Sequence, residues 1–556
     1  MLTYESQLPH LDQAIDNVLP RQVMDPARDQ CGAIITDGLA GGSNVTTMTT
    51  LGYGYVCEGA RWYRSEELVD RIRAGCVFAE KVRRPSGNFD LVTTNFDSSP
   101  DTAFIVYSMA PVVREARRQF EAGDEGAGVI AELLGALIRK SVPGIVKGGF
   151  HTPNHRWVIC AALAQAFDLF PDLEGKDVVD RYLDETIDCN EDGEYTERST
   201  SEYNAICNRA LRLTAAFWNR PDLLDLVRRN LDMSYHLLHA DGTIVTSIST
   251  RQDRGTRKVP VGLADSYYSL ARIYGNGFYA AVADCLVGLV DRYSGALQPF
   301  LDHPAWRKDD LARESLPEDY SNHYGTSGLW RVRRGRASAT VARGLTAPFS
   351  LKVGNLELSS VKVCASYFAV AQFEASEMET VAHGVRLTDR GRGSVHATPG
   401  YYQPTGIPVT SATWFETRPD RSHREMPALA MELEVVEVDS GFDLTIRTSG
   451  GIDRVPLQIE FDFVPGGELF VEGAAMKSGS GQVVLLESGY GLYRVGQDAV
   501  RIGPGNRAHR TWEMRGSETA PEAFRVLIPH LTHVDETIEI RYGVYAEGTG
   551  DLLSGR

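Results

Sequence analysis

The apolar residues of this chain change their period near residue 310, from about 3.6 to 2, and one layer type cannot accommodate both. Before that point the spacing predicts helices over Ser65–Lys81, Asp101–Ala122, Ala127–Lys140, Pro153–Phe170, Lys176–Asp188, Ser199–Trp218, Pro221–His239, Leu263–Tyr274 and Phe278–Tyr293. Two kinds alternate. Pro153–Phe170 is apolar nearly all round after Arg156, whereas Lys176–Asp188 carries one apolar stripe (Val178, Val179, Tyr182, Leu183, Ile187) and an acidic outer face. Alternating buried and half-exposed helices suit a double ring of helical hairpins, and an irregular bundle gives a similar pattern. After about Tyr320, Glu432–Val438, Phe442–Thr448, Leu457–Phe463, Gln482–Leu486 and Glu536–Tyr542 mostly alternate apolar with polar, as half-buried strands do. Short strands between Gly, Asp and Ser turns point to antiparallel sheets packed as a sandwich. The expected fold is therefore α+β in two domains: a helical (α/α) toroid over 1–312 and an antiparallel β-sandwich over 320–556, joined through the charged, proline-bearing segment His303–Asp319.

Composition excludes several classes. With 43% hydrophobic and 24% charged residues, 556 residues bury a large core, so disorder is not the dominant state. The most apolar stretch, around Phe278–Val290, is interrupted by Asp284, so no membrane span is expected. A net charge of −17 lacks the basic footprint of nucleic-acid binding, yet leaves room for an anionic ligand held by a local basic cluster. The eight cysteines form no CxxC pair, which points to buried thiols and to neither a disulfide framework nor a metal site. The opening MLTYESQLPHLDQ lacks a basic region followed by an apolar one, so the expected location is the cytoplasm.

Three segments of the helical half carry candidate chemistry. In His151-Thr152-Pro153-Asn154-His155-Arg156-Trp157, Thr152 suits an N-cap and Pro153 the first helical position. Asn154 and His155 then fall in the first turn, where free N–H groups and the helix dipole favour an anion. A capped helix start with a partly exposed histidine is the plainer reading. In Glu194–Asn204, Ser199 and Glu202 fit a capping box, which places Tyr203 near the first turn of the next buried helix. Tyr203 is read as a proton donor or acceptor, with a core tyrosine as the alternative and Tyr195 as the rival position; Arg198 is a candidate anion-binding group beside it. In Ser249–Lys258, Arg251, Arg254, Arg257 and Lys258 lie within eight positions, and guanidinium groups bind carboxylates or sulfates through paired bonds. A solvated basic loop is the alternative there. The polar loop Asn95–Thr102 reads as a turn and cap, or as a source of carboxylates. His236 and His239 close a helix, and His323, His383 and His396 lie in the strand half.

The layout, with NHRW at Asn154–Trp157 and Tyr203 about fifty residues later, resembles the heparinase II/III-like polysaccharide lyases, which include oligoalginate lyases. The resemblance implies a toroid followed by a β-sandwich, and cleavage of uronate-containing glycans by β-elimination without a cofactor or metal. It implies that Asn154 and His155 neutralise the uronate carboxylate, and that Tyr203 with a histidine serves as acid and base. His151, Arg156, Arg198, Arg251 and Arg254 are then the expected substrate-binding groups. The chain departs from that pattern in its second half, where the family commonly supplies a further histidine from a histidine-rich strand and SNHYGTSGLWRVRRG offers only His323. Two other readings stand beside it. One is a toroid-type glycoside hydrolase using Asp97 or Asp101 with Glu194, Glu197 or Glu202. The other is a non-catalytic carbohydrate-binding protein. The expected partner is an anionic oligosaccharide, with neither nucleic acid nor membrane, and a homodimer is left open.

Overall fold

A computed structural model gives the structure of residues 1–41, 45–291, 295–308, 310–368, 372–391, 399–546 and 552–553. The chain divides into two compact units, Met1–Leu238 with Gly242–Leu316, and His239–Asp241 with Pro317–Arg556.

Among the described residues, the first unit contains helices α1 (Tyr4–Val18), α2 (Val45–Val56), α3 (Glu66–Val82), α4 (Ser99–Glu121), α5 (Glu125–Gly148), α6 (Pro153–Leu169), α7 (Asp177–Asp184), α8 (Tyr203–Phe217), α9 (Leu223–His236), α10 (Ala264–Tyr274), α11 (Gly277–Gly288) and α12 (Gln298–Asp302). Helix α4 packs on α6, α6 on α8, α8 on α10 and α10 on α12, and α12 returns to α4. This closed inner ring makes the unit a helical toroid. Helices α5, α7, α9 and α11 each back an inner helix. The sequence shows the reason: every residue from Trp157 to Ala164 of α6 is buried, which only a helix surrounded by others tolerates, whereas α7 buries just Val178, Val179 and Leu183. Buried cysteines (Cys57, Cys76, Cys160, Cys207) act as small apolar side chains in this packing. No described helix is long and apolar enough to cross a membrane.

The second unit is a β-sandwich. Its eight-stranded sheet runs, in spatial order, Val483–Leu485, Phe524–Leu531, Pro456–Phe463, Leu356–Ala365, Phe349–Val353, Ala337–Ala342, Leu329–Arg334 and Asp319–Tyr324. Among the described residues a ten-stranded sheet faces it, built around Asp535–Tyr545, Gly441–Gly450 and Leu429–Val438. The inward faces alternate apolar residues, as in Leu429, Met431, Leu433 and Val435, and meet through contacts such as Phe442 against Trp330 and Phe349 at ring distances of 6.2 and 5.3 Å.

Local departures from the expectations have physical causes. The helix expected from Ser199 starts at Tyr203, and the Ser199–Glu202 capping box does not form. Instead the Ser199 hydroxyl accepts the Tyr203 backbone N–H (3.2 Å), and Glu202 pairs with Lys258 (2.6 Å). The helix expected over Lys176–Asp188 ends at Asp184. Phe89–Leu91 and Asn95–Ser98 form a hairpin inside the helical unit. One strand pair, Val483–Leu485 with Phe524–Leu531, is parallel, although no crossover helix joins it. His239 falls beyond the helix that should contain it, which ends at His236.

Candidate functional site

The site is built where α6 and α8 begin. Gly149, at φ 80°, ends α5 in a conformation that favours glycine, and the chain enters α6 two residues after His151 with Thr152 extended (φ −135°) and Pro153 in the first turn. Helix α6 then offers the free N–H groups that the sequence reading assigns to a substrate anion. In the structure an internal anion takes that place. The Glu197 carboxylate accepts from the backbone N–H of Asn154 (3.2 Å) and from its side-chain Nδ2 (2.7 Å). Arg198 makes this possible: it adopts a left-handed conformation (φ 51°), and its N–H bonds back to Tyr195 O, which reverses the chain just after Glu197. The second Asn154 amide hydrogen goes to Thr152 Oγ1 (3.1 Å). Asn154 is wholly buried, and its one polar atom left over is Oδ1, an acceptor. The expectation that Asn154 donates to a substrate carboxylate therefore meets a concrete obstacle: its donors are already used.

Glu197 also reaches Arg251, whose Nε lies 3.2 Å from Oε1. The guanidinium of Arg251 sits over the Tyr203 ring, 5.1 Å from its centre. Asn154, Glu197, Arg251 and Tyr203 thus form one continuous chain of contacts. The loop carrying Arg251 is pinned there by Asp253, which is buried and accepts from Ser201 N (3.2 Å), Ser201 Oγ (3.0 Å) and the Ser249 hydroxyl. Thr250 adds bonds from N (3.3 Å) and Oγ1 (2.9 Å) to Glu197 O. Tyr203 is half-buried, and its hydroxyl donates to Gln252 Oε1 at 3.3 Å, a long bond that a ligand can replace.

His155 lies on the same helix turn. It is 9% exposed and edge-on to His151 (4.8 Å) and Phe104 (6.2 Å). Burial, reinforced by His151 and Arg251 and opposed by Asp101, lowers its pKa to about 4, so the ring is neutral at physiological pH. Its Nδ1 is buried with no hydrogen-bond partner among the described residues. An imidazole nitrogen and an amide oxygen on consecutive residues are thus both shielded from solvent and without a described partner.

The remaining candidates separate. His151 is exposed at the mouth of α6 and Arg254 is exposed on the basic loop, where it makes no ion pair with a described residue. Arg156 turns away: it binds Glu185 and Asp188, both at 3.1 Å, while stacking on Trp157 at 4.4 Å. Arg198 bonds Glu194 at 2.8 Å. Tyr195 is a core residue whose hydroxyl donates to Asn208 (2.8 Å), and burial pushes its pKa far up. In the second unit His323 stacks flat on Trp330 (5.4 Å, 7°), His383 is exposed, and His396 lies outside the described residues. Asp101, Glu194 and Glu202 all bond to neighbouring side chains, Asp101 through Ser98 and Asn95. Glu197 and Asp253 are what the sequence reading underweights. Glu197 appears there only as a hydrolase candidate, and the one local trace of Asp253 is a Ser and an Asp four residues apart around Arg251.

No family model matches the sequence, and no curated protein is similar to it at the sequence level. Solved structures are similar. They include a heparinase III (TM-score 0.54, 10% identity, covering 97% of this chain and 84% of that one) and the chondroitin AC lyase of Streptomyces coelicolor A3 (0.51, 12%, 97% and 79%). A Paenibacillus xanthan lyase is also similar (0.52, 9%, 97% of this chain), although this chain spans only 55% of it. The protein therefore has the toroid-plus-sandwich fold found in polysaccharide lyases.

Proposed function

We propose that the protein is a polysaccharide or oligosaccharide lyase that cleaves uronate-containing glycans by β-elimination. The observation that carries this reading is the chain of contacts from Asn154 through the Glu197 carboxylate and the Arg251 guanidinium to the Tyr203 phenol, with the neutral imidazole of His155 next to Asn154 and within reach of the Arg251 charge. The similar folds, two of them named as heparinase and chondroitin lyase, support a glycan as substrate.

The chemistry follows from the residues. Removing the C5 proton next to a uronate carboxylate places charge on that carboxylate, and the reaction proceeds only if this charge is stabilised. Arg251 and Arg254 supply positive charge, and His155 a neutral hydrogen-bonding group. Asn154 keeps the start of α6 and Glu197 in register, a positioning role in place of the expected direct one. One of the His155–Tyr203 pair takes the proton. Its electrons form the C4–C5 double bond, the C4–O bond breaks, and the departing oxygen takes a proton from the other member. Asp97, Asp101, Glu194, Glu197 and Glu202, the carboxylates a glycoside hydrolase would draw on, each already bind a protein donor, which favours elimination over hydrolysis. The test is product analysis on a panel of uronate oligosaccharides. Each new reducing end should appear with one ultraviolet-absorbing double bond, and reducing ends without absorbance would refute the elimination.

A further inference from the structure

The strands Gly384–Asp389 and Leu429–Val438 are direct antiparallel neighbours, with Asp389 opposite Met431. Such a pair needs a connection of about two to five residues, whereas Arg390–Ala428 supplies roughly forty, a length that usually carries a function. Its described part joins neither main sheet. Gly400–Tyr402 and His423–Glu425 form their own hairpin, anchored by Tyr401 against Phe368 (5.4 Å).

The loop exposes what a fold normally hides. Tyr401 is 57% exposed, Tyr402 43%, Trp414 44% and Phe415 75%. The Thr410 and Thr413 hydroxyls and the Thr417 N–H close a turn that holds Trp414 and Phe415 outward. Two guanidiniums lie over these rings, Arg418 on Tyr402 (4.6 Å) and Arg421 on Trp414 (4.9 Å). Elsewhere the arginines of this acidic chain are mostly paired with carboxylates. Here Arg418, Arg421 and Arg424 make no ion pair with any described residue, even though Glu416, Asp420 and Glu425 lie in the same loop.

We infer that residues 399–425 of this loop, in the second unit, are a binding platform for an anionic glycan chain. Exposed aromatic rings suit the apolar faces of sugar rings, and the guanidiniums held against Tyr402 and Trp414 suit carboxylate or sulfate. A second copy of a chain of net charge −17 fits this surface less well, since it brings rings but no regular array of anions. The inference takes from the proposed function only the choice of a glycan as ligand.

The test is affinity electrophoresis of the Tyr203→Phe chain, in which turnover is suppressed, through native gels containing alginate (carboxylates), dextran sulfate (sulfates) or neutral dextran. Retardation by one or both polyanions and not by dextran is expected, and which gel retards shows whether carboxylate or sulfate is preferred. Trp414→Ala with Phe415→Ala, and separately Arg418→Gln with Arg421→Gln, should each weaken retardation by about tenfold or more. The arginine pair keeps the test valid if the aromatic pair misfolds. Unchanged retardation in folded variants would overturn the inference, as would a change of oligomeric mass in the variants, which would assign the surface to a second copy. Loss of retardation in these variants, with no unsaturated product formed by the parent chain that keeps Tyr203, would refute the lyase reading and leave this platform standing.

Discussion

His155 gives the sharpest prediction because its environment sets a number. Burial at the start of α6 is the main cause of its low pKa, with His151 edge-on at 4.8 Å and the Arg251 charge adding to it and Asp101 pulling the other way. With a pKa of about 4, roughly 97% of the rings are neutral at pH 5.5, whereas an ordinary histidine at 6.5 would be about 9% neutral. The acid limb of kcat/KM should therefore fall near pH 4, and activity at pH 5.5 should stay within about twofold of that at pH 7.5, instead of dropping about tenfold. The same shift has a stability consequence. Between pH 6.5 and 4 the unfolded chain binds the proton and the folded chain resists it, so stability is full above pH 6.5 and declines as the pH falls through this window. The loss is at most about 3 kcal/mol from this residue. Histidine-selective NMR, with the His155 signal identified by its loss in His155→Gln, reads the titration without any substrate. A midpoint near 6.5 would refute the buried, neutral imidazole and with it the proposed proton chemistry.

Three further outcomes follow from the contacts. Glu197→Gln removes the charge facing Arg251 and weakens two bonds to Asn154. It should cost ~2 kcal/mol, less than a wholly buried pair because Arg251 is partly exposed, and an unchanged melting temperature would contradict the assigned network. Arg156→Gln should lower the melting temperature and leave KM within about twofold, since its partners are Glu185 and Asp188; a KM raised tenfold would return it to the substrate-binding set. Tyr195→Phe orphans Asn208 in the core and should cost ~1–2 kcal/mol with kcat unchanged, and a collapse of kcat would move the catalytic assignment to Tyr195.

The two-part architecture was legible because buried helices and half-buried strands impose different periods. The inner and outer places of α6 and α7 were legible for the same reason. Helices α1 and α2 were not: α1 carries Pro9 inside it, and α2 (VTTMTTLGYGYV) is, apart from Met48 and Leu51, made of Thr, Val, Tyr and Gly, which favour other conformations, so packing decides its state. The start of α6 was readable from Thr152 and Pro153. Its occupant was not, because Glu197 lies 43 positions from Asn154 and no local pattern encodes that pairing. The failed capping box at Ser199–Glu202 has a similar cause: Lys258, far along the chain, draws Glu202 away from the role its spacing suggests.

The central claim, that elimination is performed by the His155–Tyr203 cluster, is tested most directly by the turnover of Tyr203→Phe on a uronate oligosaccharide that the parent chain cleaves. Only a proton-transferring hydroxyl and its long bond to Gln252 are removed, so the fold should persist with a stability change under about 1 kcal/mol. We predict kcat lowered by about 100- to 10,000-fold with KM little changed. A Tyr203→Phe chain that still turns over at the parent rate, while Asp101→Ala or Glu194→Ala abolishes turnover, would contradict the account and favour hydrolysis by carboxylates.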